Sequence, residues 1–143
     1  MNDELINIWV QKGMLKKRSK DVARIRSLLS SAELKAEGVE LIPLEEKTAT
    51  VIFGAVYESL RQLGDAKWWS RGYEPSSHDP SMQILADSDV ENKFKLQNLD
   101  RFRRIRNDSN YRGYKVTVNQ AEEIFLFWKE FGKELIDLIK KDA

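Results

Sequence analysis

The strongest periodic signal in this chain is an apolar stripe near its C-terminal end. Between about Thr117 and Lys141, apolar residues recur at helical spacing: Ala121, Ile124, Phe125, Trp128, Phe131, Leu135, Leu138 and Ile139. A helix with 3.6 residues per turn places all of them on one face, and such a face is stable only when other elements cover it. The segment therefore predicts a long amphipathic helix in a packed helical domain.

Shorter patterns of the same kind divide the rest of the chain into helices. The predicted helices are about 3–12, 21–38, 44–64, a short segment after Pro80, and 90–109. Residues 64–80 mix aromatics with helix breakers and predict a structured loop. In it Trp68 and Trp69 would be exposed or at an interface, and packing against a neighbouring helix or subunit is favoured over stacking on a base. No alternation is long enough to build a sheet. We therefore predict an all-α fold, an antiparallel up-and-down bundle of four to five main helices, as one domain over 1–143.

Composition excludes several classes of protein and of chemistry. The 143 residues are 41% apolar and 33% charged, as in soluble globular proteins, and no apolar run approaches the roughly 18 residues of a membrane span. The N-terminus lacks the apolar core of a signal peptide, so we expect a cytoplasmic protein without membrane attachment. There is no cysteine, and His78 is the single histidine. We therefore expect no metal site and no cofactor.

Residues 101–114 hold the most informative local cluster. Arg101, Arg103, Arg104 and Arg106 lie within six positions of a predicted helix whose inward face carries Phe94, Leu99, Phe102 and Ile105. Arg106 follows Phe102 by four residues and Leu99 by seven, so it falls on the same buried stripe. A buried charge must find an anion, a polar partner or a subunit edge. The pattern thus indicates a site at Arg106.

At this helix end the chain resembles the HEPN superfamily of small helical bundles. The signature of that superfamily is an arginine, usually followed by a polar residue, with a histidine a few positions further on. Arg106 and Asn107 match the first two positions, and Tyr111 stands where the histidine usually stands. The order of the predicted helices and the Gly72-Tyr73…Ser77-His78 loop extend the resemblance over nearly the whole chain.

The resemblance implies a function and partners. Many HEPN proteins are metal-independent endoribonucleases, often toxins of toxin–antitoxin pairs, and they typically form homodimers in which two motifs line one cleft. Carried over to this chain, Arg106 would hold the scissile phosphate of RNA and Tyr111 would handle a proton. Four further residues are candidates for contacts with the RNA: Arg103, Asn107, Arg112 and Lys115. An antitoxin or nucleotidyltransferase partner is a further expectation.

Tyr111 leaves two functions open. Free tyrosine has a pKa of about 10, so Tyr111 donates a hydrogen bond to phosphate more readily than it acts as a base. His78 could supply the missing base if its loop folds over Arg106, or it could be a local cap of the next helix. The alternative to a ribonuclease is a non-catalytic, HEPN-like dimeric interaction module that binds a nucleotidyltransferase partner or a nucleotide.

Helix geometry sets a condition on the pair of Arg106 and Tyr111. Five residues of an ideal helix turn through about 500°, which leaves the two side chains about 140° apart. They converge only if the helix ends between them or if two subunits build the cleft. Residues 107–110 are poor helix formers, so we expect the helix to end there. A further interpretation is that Arg106 pairs with a carboxylate at a dimer interface.

Overall fold

The bundle is arranged around one central helix. The computed structural model describes all 143 residues. Its helices, in chain order, are α1 (Asp3–Gln11), α2 (Val22–Val39), α3 (Ala49–Ser70), α4 (His78–Ala86), a 3-10 helix (Lys93–Gln97), α5 (Asn98–Arg112) and α6 (Val118–Asp142). The central helix α3 packs against α2, α4, α5 and α6. The predicted all-α helical bundle is confirmed.

Five of the eight predicted stripe residues lie in the main core, and Phe125, Trp128 and Leu138 pack against it only partly buried. Buried residues of α6 and of the helices around it form one cluster of 27 side chains, and α6 contributes Ala121, Ile124, Phe127, Phe131, Leu135, Ile136 and Ile139. The start of α6 is fixed by a reciprocal cap. The Thr117 hydroxyl accepts the N–H of Gln120 at 3.1 Å, and the Gln120 side chain accepts the N–H of Thr117 at 3.0 Å.

The central helix is shifted from its predicted bounds of 44–64. It begins at Ala49, because residues 45–48 form a turn in which the Thr48 hydroxyl accepts the N–H of Glu45 at 3.0 Å. It then continues through Gly64 to Ser70, so the predicted loop over 64–80 is wrong in its first part. Gly64 is compatible with a helix interior at a cost of about 1 kcal/mol, which burial of the following residues offsets.

Trp68 and Trp69 are buried within the chain, so their predicted exposure is wrong, whereas packing against a neighbouring helix agrees with the prediction. They are 0% and 7% exposed, and the indole N–H of Trp68 donates to the carbonyl oxygen of Pro80 at 2.8 Å. Trp68 belongs to a second, smaller apolar cluster with Ile6, Trp9, Leu15 and Ile84. This cluster attaches α1 to the end of the bundle.

A two-stranded antiparallel sheet completes the small cluster and is absent from the sequence prediction. Strand β1 (Leu15–Lys17) pairs with β2 (Tyr73–Pro75), with Leu15 opposite Pro75 and Lys17 opposite Tyr73. Each strand has three residues, too few for a period of two to be visible in the sequence. The pairing holds the segment before α4 against the N-terminal part of the chain.

The predicted helix over 90–109 is divided into two. The 3-10 helix precedes α5, and Phe94 is 68% exposed instead of facing inward. The α5 helix then runs through residues 107–110 and ends only at Arg112, where Gly113 adopts a left-handed conformation with φ +69°. Gly113 is suited to this position because it lacks a β-carbon. The expected helix end between Arg106 and Tyr111 is therefore wrong.

None of the helices combines the length and the apolar character that crossing a bilayer requires.

Candidate functional site

Arg106 lies on the inner side of α5, where the apolar stripe predicts it. Leu99 and Phe102, on the same stripe, are each 1% exposed, and Arg106 is half-buried. Its guanidinium rests against α3. The carbon Cζ lies 6.0 Å from the centre of the Tyr57 ring and 4.0 Å from the point that a β-carbon on Gly54 would occupy. An arginine is thus inserted between two helices at the edge of the core.

The charge of Arg106 has no carboxylate partner within the chain. One guanidinium nitrogen donates to the side-chain oxygen of Asn110, one turn further along α5. The Nε–H is buried and has no acceptor. The salt bridges of the chain involve seven of the other arginines, at positions 18, 24, 61, 101, 103, 104 and 112. Arg106 therefore keeps a positive charge and a free donor for a ligand.

Tyr57 is the residue of this site that sequence reasoning missed. It lies on α3, 0% exposed, and its hydroxyl has no hydrogen-bond partner. Burial raises the pKa of Tyr57 to about 12, and the charges of Arg103 and Arg61 only partly oppose this rise. The hydroxyl is therefore protonated at neutral pH and can donate a hydrogen bond. Its helical spacing from Phe53 and Leu60 identifies Tyr57 only as a core position.

His78 approaches the same ring from α4. It is the first residue of that helix, and its ring centre lies 5.9 Å from that of Tyr57 at an interplanar angle of 44°. Partial burial and the charge of Arg61 lower the pKa of His78, the charge of Arg106 adds to this, and Glu58 opposes it. His78 is therefore neutral at pH 7 and can accept a proton. We refer to Arg106, Tyr57 and His78 as the Arg106 site.

A polar network fixes α4, and with it His78, against α3. Arg61 donates to Asp65 at 2.8 Å and to Glu58 at 3.1 Å, and the hydroxyl of Ser81 donates to Asp65. The hydrogen bond from Arg61 lowers the pKa of Glu58, whereas burial raises the pKa of Asp65. All four side chains are at least half-buried, so the network holds the first turn of α4 in place.

Arg103 adds a second guanidinium beside the Arg106 site. It donates to Asp100 at 2.9 Å and lies 3.6 Å from Asp79, the residue after His78. The hydrogen bond to Asp100 raises the pKa of Arg103. Arg103, a predicted RNA-binding residue, therefore lies near the Arg106 site. Its guanidinium is already paired with two carboxylates of the same chain, Asp79 and Asp100.

Tyr111 is not brought to the Arg106 site within one chain. Its side chain is 83% exposed. Because α5 is continuous through both residues, Arg106 and Tyr111 point about 140° apart. Tyr111 can therefore meet an Arg106 side chain only if that arginine belongs to another copy of the protein.

The other candidate RNA-binding residues follow Arg106 along the chain. Asn107 is half-buried, and Arg112 is exposed with its Nε 4.0 Å from Asp108. Lys115 lies 3.2 Å from Glu46, in the connection between α2 and α3. These ion pairs are at the surface and therefore weak.

Comparison with protein-family models, curated proteins and solved structures found no significant match. The chain also has no group of three or more histidine, aspartate and glutamate side chains arranged to hold a metal ion. The chemistry of the Arg106 site must therefore be read from its own residues. Arg106 provides a positive charge with a free donor, Tyr57 a protonated hydroxyl, and His78 a neutral imidazole. Together they can bind an oxyanion and accept a proton.

Proposed function

We propose that this chain is a HEPN-like RNA-binding domain and a metal-independent endoribonuclease. The observation that carries the proposal is the shared position of Arg106 and His78 on the Tyr57 ring, with Arg106 free of any carboxylate of its own chain. A guanidinium without a carboxylate partner is available to bind phosphate with two parallel hydrogen bonds. A neutral imidazole that packs near the same tyrosine ring can take a proton from a nucleophile.

The reaction that suits these groups is attack of a ribose 2′-hydroxyl on the adjacent phosphate. His78 accepts the proton of the 2′-hydroxyl as the bond from that oxygen to phosphorus forms. Arg106 stabilises the negative charge that accumulates on the phosphate oxygens. The bond to the 5′-oxygen then breaks, and this oxygen takes a proton from the hydroxyl of Tyr111 in a second copy. The products are a 2′,3′-cyclic phosphate and a 5′-hydroxyl end.

The surroundings of the Arg106 site support binding of RNA. A cavity of about 230 Å³ lies between α4 and α5, and four apolar and five polar residues line it: Met82, Ala86, Leu96 and Leu99 with Asp79, Gln83, Gln97, Asp100 and Arg103. Its apolar side chains offer contact to the face of one planar base, and its amides offer hydrogen bonds to the edge of that base. Arg112 and Lys115 lie beyond the site along the chain, and RNA phosphates can replace their weak surface partners.

The proposal includes a homodimer in the cytoplasm. Tyr111 cannot reach Arg106 of its own chain, so a second copy must supply it if both act on one phosphate. We propose in addition that a partner protein, an antitoxin of the nucleotidyltransferase type, controls the site. This last part rests on the resemblance to the HEPN superfamily alone.

A cleavage assay in EDTA tests the ribonuclease proposal. Wild-type protein is expected to cleave single-stranded RNA with EDTA present, and Arg106→Ala and His78→Ala are expected to lose most of this activity, by roughly 100-fold or more. Arg104→Ala is the matched control. It removes the same charge from α5, but at an exposed position where the arginine is paired with Asp100. Cleavage that survives Arg106→Ala, or no cleavage by the wild type, would contradict the proposal.

A non-catalytic HEPN-like dimeric module that binds a nucleotidyltransferase partner or a nucleotide is the second candidate. The observation in its favour is that Asn110 holds the Arg106 guanidinium and that the Nε atom is covered in the free protein. A site of this kind needs a rearrangement before it can meet a substrate. Arg106-dependent binding of RNA, nucleotide or partner without any cleavage would favour this candidate.

A further inference from the structure

The hydroxyl of Tyr57 has no structural use in the free protein. Tyr57 is fully buried, yet its oxygen neither donates to nor accepts from any other group. A buried hydroxyl without a partner destabilises a fold, and phenylalanine would fill the same space without that cost. A tyrosine here is therefore explained better by a ligand than by packing. Groups that break such a rule tend to lie at functional sites.

A second unpartnered donor lies on the adjacent side chain. The Nε–H of Arg106 is also buried without an acceptor, and the Arg106 guanidinium lies 6.0 Å from the centre of the Tyr57 ring. The Tyr57 hydroxyl oxygen could accept a hydrogen bond, but none joins it to Arg106, so the O–H and the Nε–H both remain free donors. Arg103 and Arg61 place positive charge near the hydroxyl, and Asp79 places negative charge there. Two free donors, one of them on the unpaired guanidinium of Arg106, suit an acceptor that carries negative charge.

We propose that the Tyr57 hydroxyl is a ligand-binding group that donates, together with Arg106, to an oxyanion. The ligand class is a phosphodiester, and this part rests on the proposed function. A tetrahedral phosphate offers several oxygens, so one can accept from Arg106 and another from Tyr57. A phosphate held by one guanidinium alone can still rotate. A second hydrogen bond from Tyr57 would fix the orientation of the phosphate relative to His78.

The ligand reaches the hydroxyl by moving side chains, not helices. His78 is exposed and Arg106 half-buried, so the two groups beside the Tyr57 ring both border solvent. A phosphate that replaces Asn110 as the acceptor of the Arg106 guanidinium would lie beside the Tyr57 ring.

The variant Tyr57→Phe tests this inference with two independent measurements. The first is thermal unfolding without ligand, where we expect a Tm equal to or above that of the wild type. The second is the Kd for a single-stranded oligodeoxynucleotide, which has phosphodiesters but no 2′-hydroxyl to attack. At fixed salt we expect the variant to bind about 10-fold more weakly or worse. Tyr73→Phe is the matched control, since Tyr73 packs on Trp68 away from the site.

The outcomes separate this inference from the ribonuclease proposal. Unchanged oligonucleotide affinity in Tyr57→Phe would overturn the inference even if RNA cleavage depends on Arg106. No binding of the oligonucleotide by the wild type would overturn it as well. Weaker binding by both Tyr57→Phe and Arg106→Ala would support the inference, and it would do so even if the wild type cleaves no RNA. A fall in Tm with unchanged affinity would show that the hydroxyl is structural.

Discussion

The guanidinium of Arg106 packs on the backbone of α3 at Gly54. A β-carbon on Gly54 would lie 4.0 Å from both Cζ and Nε of the arginine, which is ordinary van der Waals contact. A residue with a longer side chain at this position would occupy the space of the guanidinium itself. The sequence of α3 and the position of the charged group on α5 are thus directly coupled.

Substitution of Gly54 should separate stability from activity. Gly54→Ala adds only a β-carbon, which meets Arg106 at an ordinary contact distance. Because alanine also has a higher helix propensity than glycine, the free energy of unfolding should rise by up to about 1 kcal/mol. RNA binding and cleavage should be retained. Gly54→Leu should displace Arg106 and lower cleavage as far as Arg106→Ala does. Chemical denaturation measures the change in stability, and the EDTA assay measures the change in cleavage. Equal cleavage by Gly54→Ala and Gly54→Leu would show that residue 54 does not control the position of Arg106.

Gly64→Ala should destabilise the bundle strongly. A β-carbon on Gly64 would lie 2.7 Å from the carbonyl carbon of Ser81 and would collide with the carbonyl oxygen. Because the obstacle is backbone, α3 and α4 must separate, at a cost of roughly 1–3 kcal/mol or more. Gly38→Ala is the control, since nothing lies within 4 Å of its β-carbon position in α2. Thermal unfolding should show a lower Tm for Gly64→Ala only.

The helices that the sequence predicts well are those whose signals are local. The stripe and the reciprocal cap of α6 lie within one segment, and so does the spacing that places Arg106 on the buried face of α5. The glycine inside α3 has a non-local reason instead, because Gly64 lies against the backbone of Ser81 in another helix. A sequence pattern cannot show that a glycine in a helix interior is required by a neighbouring backbone.

The residues of the candidate site also differ in whether a local sequence signal identifies them. Arg106 could be found because a charge interrupts an apolar stripe. Tyr57 could not be found in this way, because a tyrosine on an apolar stripe is ordinary and its hydroxyl is seen to lack a partner only in the folded chain. The meeting of His78 and Tyr57 depends on the docking of α4 through Asp65 and Ser81, which is a long-range event. The end of α5 was predicted too early because Gly113, not the residues before it, terminates the helix.

The rate of RNA cleavage should depend on the pKa of His78. Partial burial and the charge of Arg61 hold this pKa below 6.5, and His78 acts as a base only when neutral. The rate should therefore rise with pH through a midpoint below 6.5 and then level off. Glu58→Gln removes a charge that raises the pKa of His78, so the midpoint should move to lower pH. Initial rates measured from acid to neutral pH test this, and a midpoint that Glu58→Gln leaves in place would assign it to another group.

The position of Tyr111 allows a test of a cleft built from two copies. Arg106 and Tyr111 point about 140° apart on one continuous helix, so any phosphate that meets both must lie between two copies. Arg106→Ala and Tyr111→Ala should each be inactive as pure proteins. After mixing, denaturation and refolding, half of the dimers contain one chain of each variant, and one of their two sites is intact. Activity should then return to about a quarter of the wild-type value.

The mixed refolding separates three arrangements of the site. Size-exclusion chromatography shows whether the refolded mixture is dimeric. If it is dimeric and no activity returns, a cleft that combines Arg106 of one copy with Tyr111 of the other is contradicted. Full activity of Tyr111→Ala alone would mean that the leaving 5′-oxygen takes its proton elsewhere. In that case Arg106, Tyr57 and His78 form a complete site within one chain, because all three already meet around the Tyr57 ring.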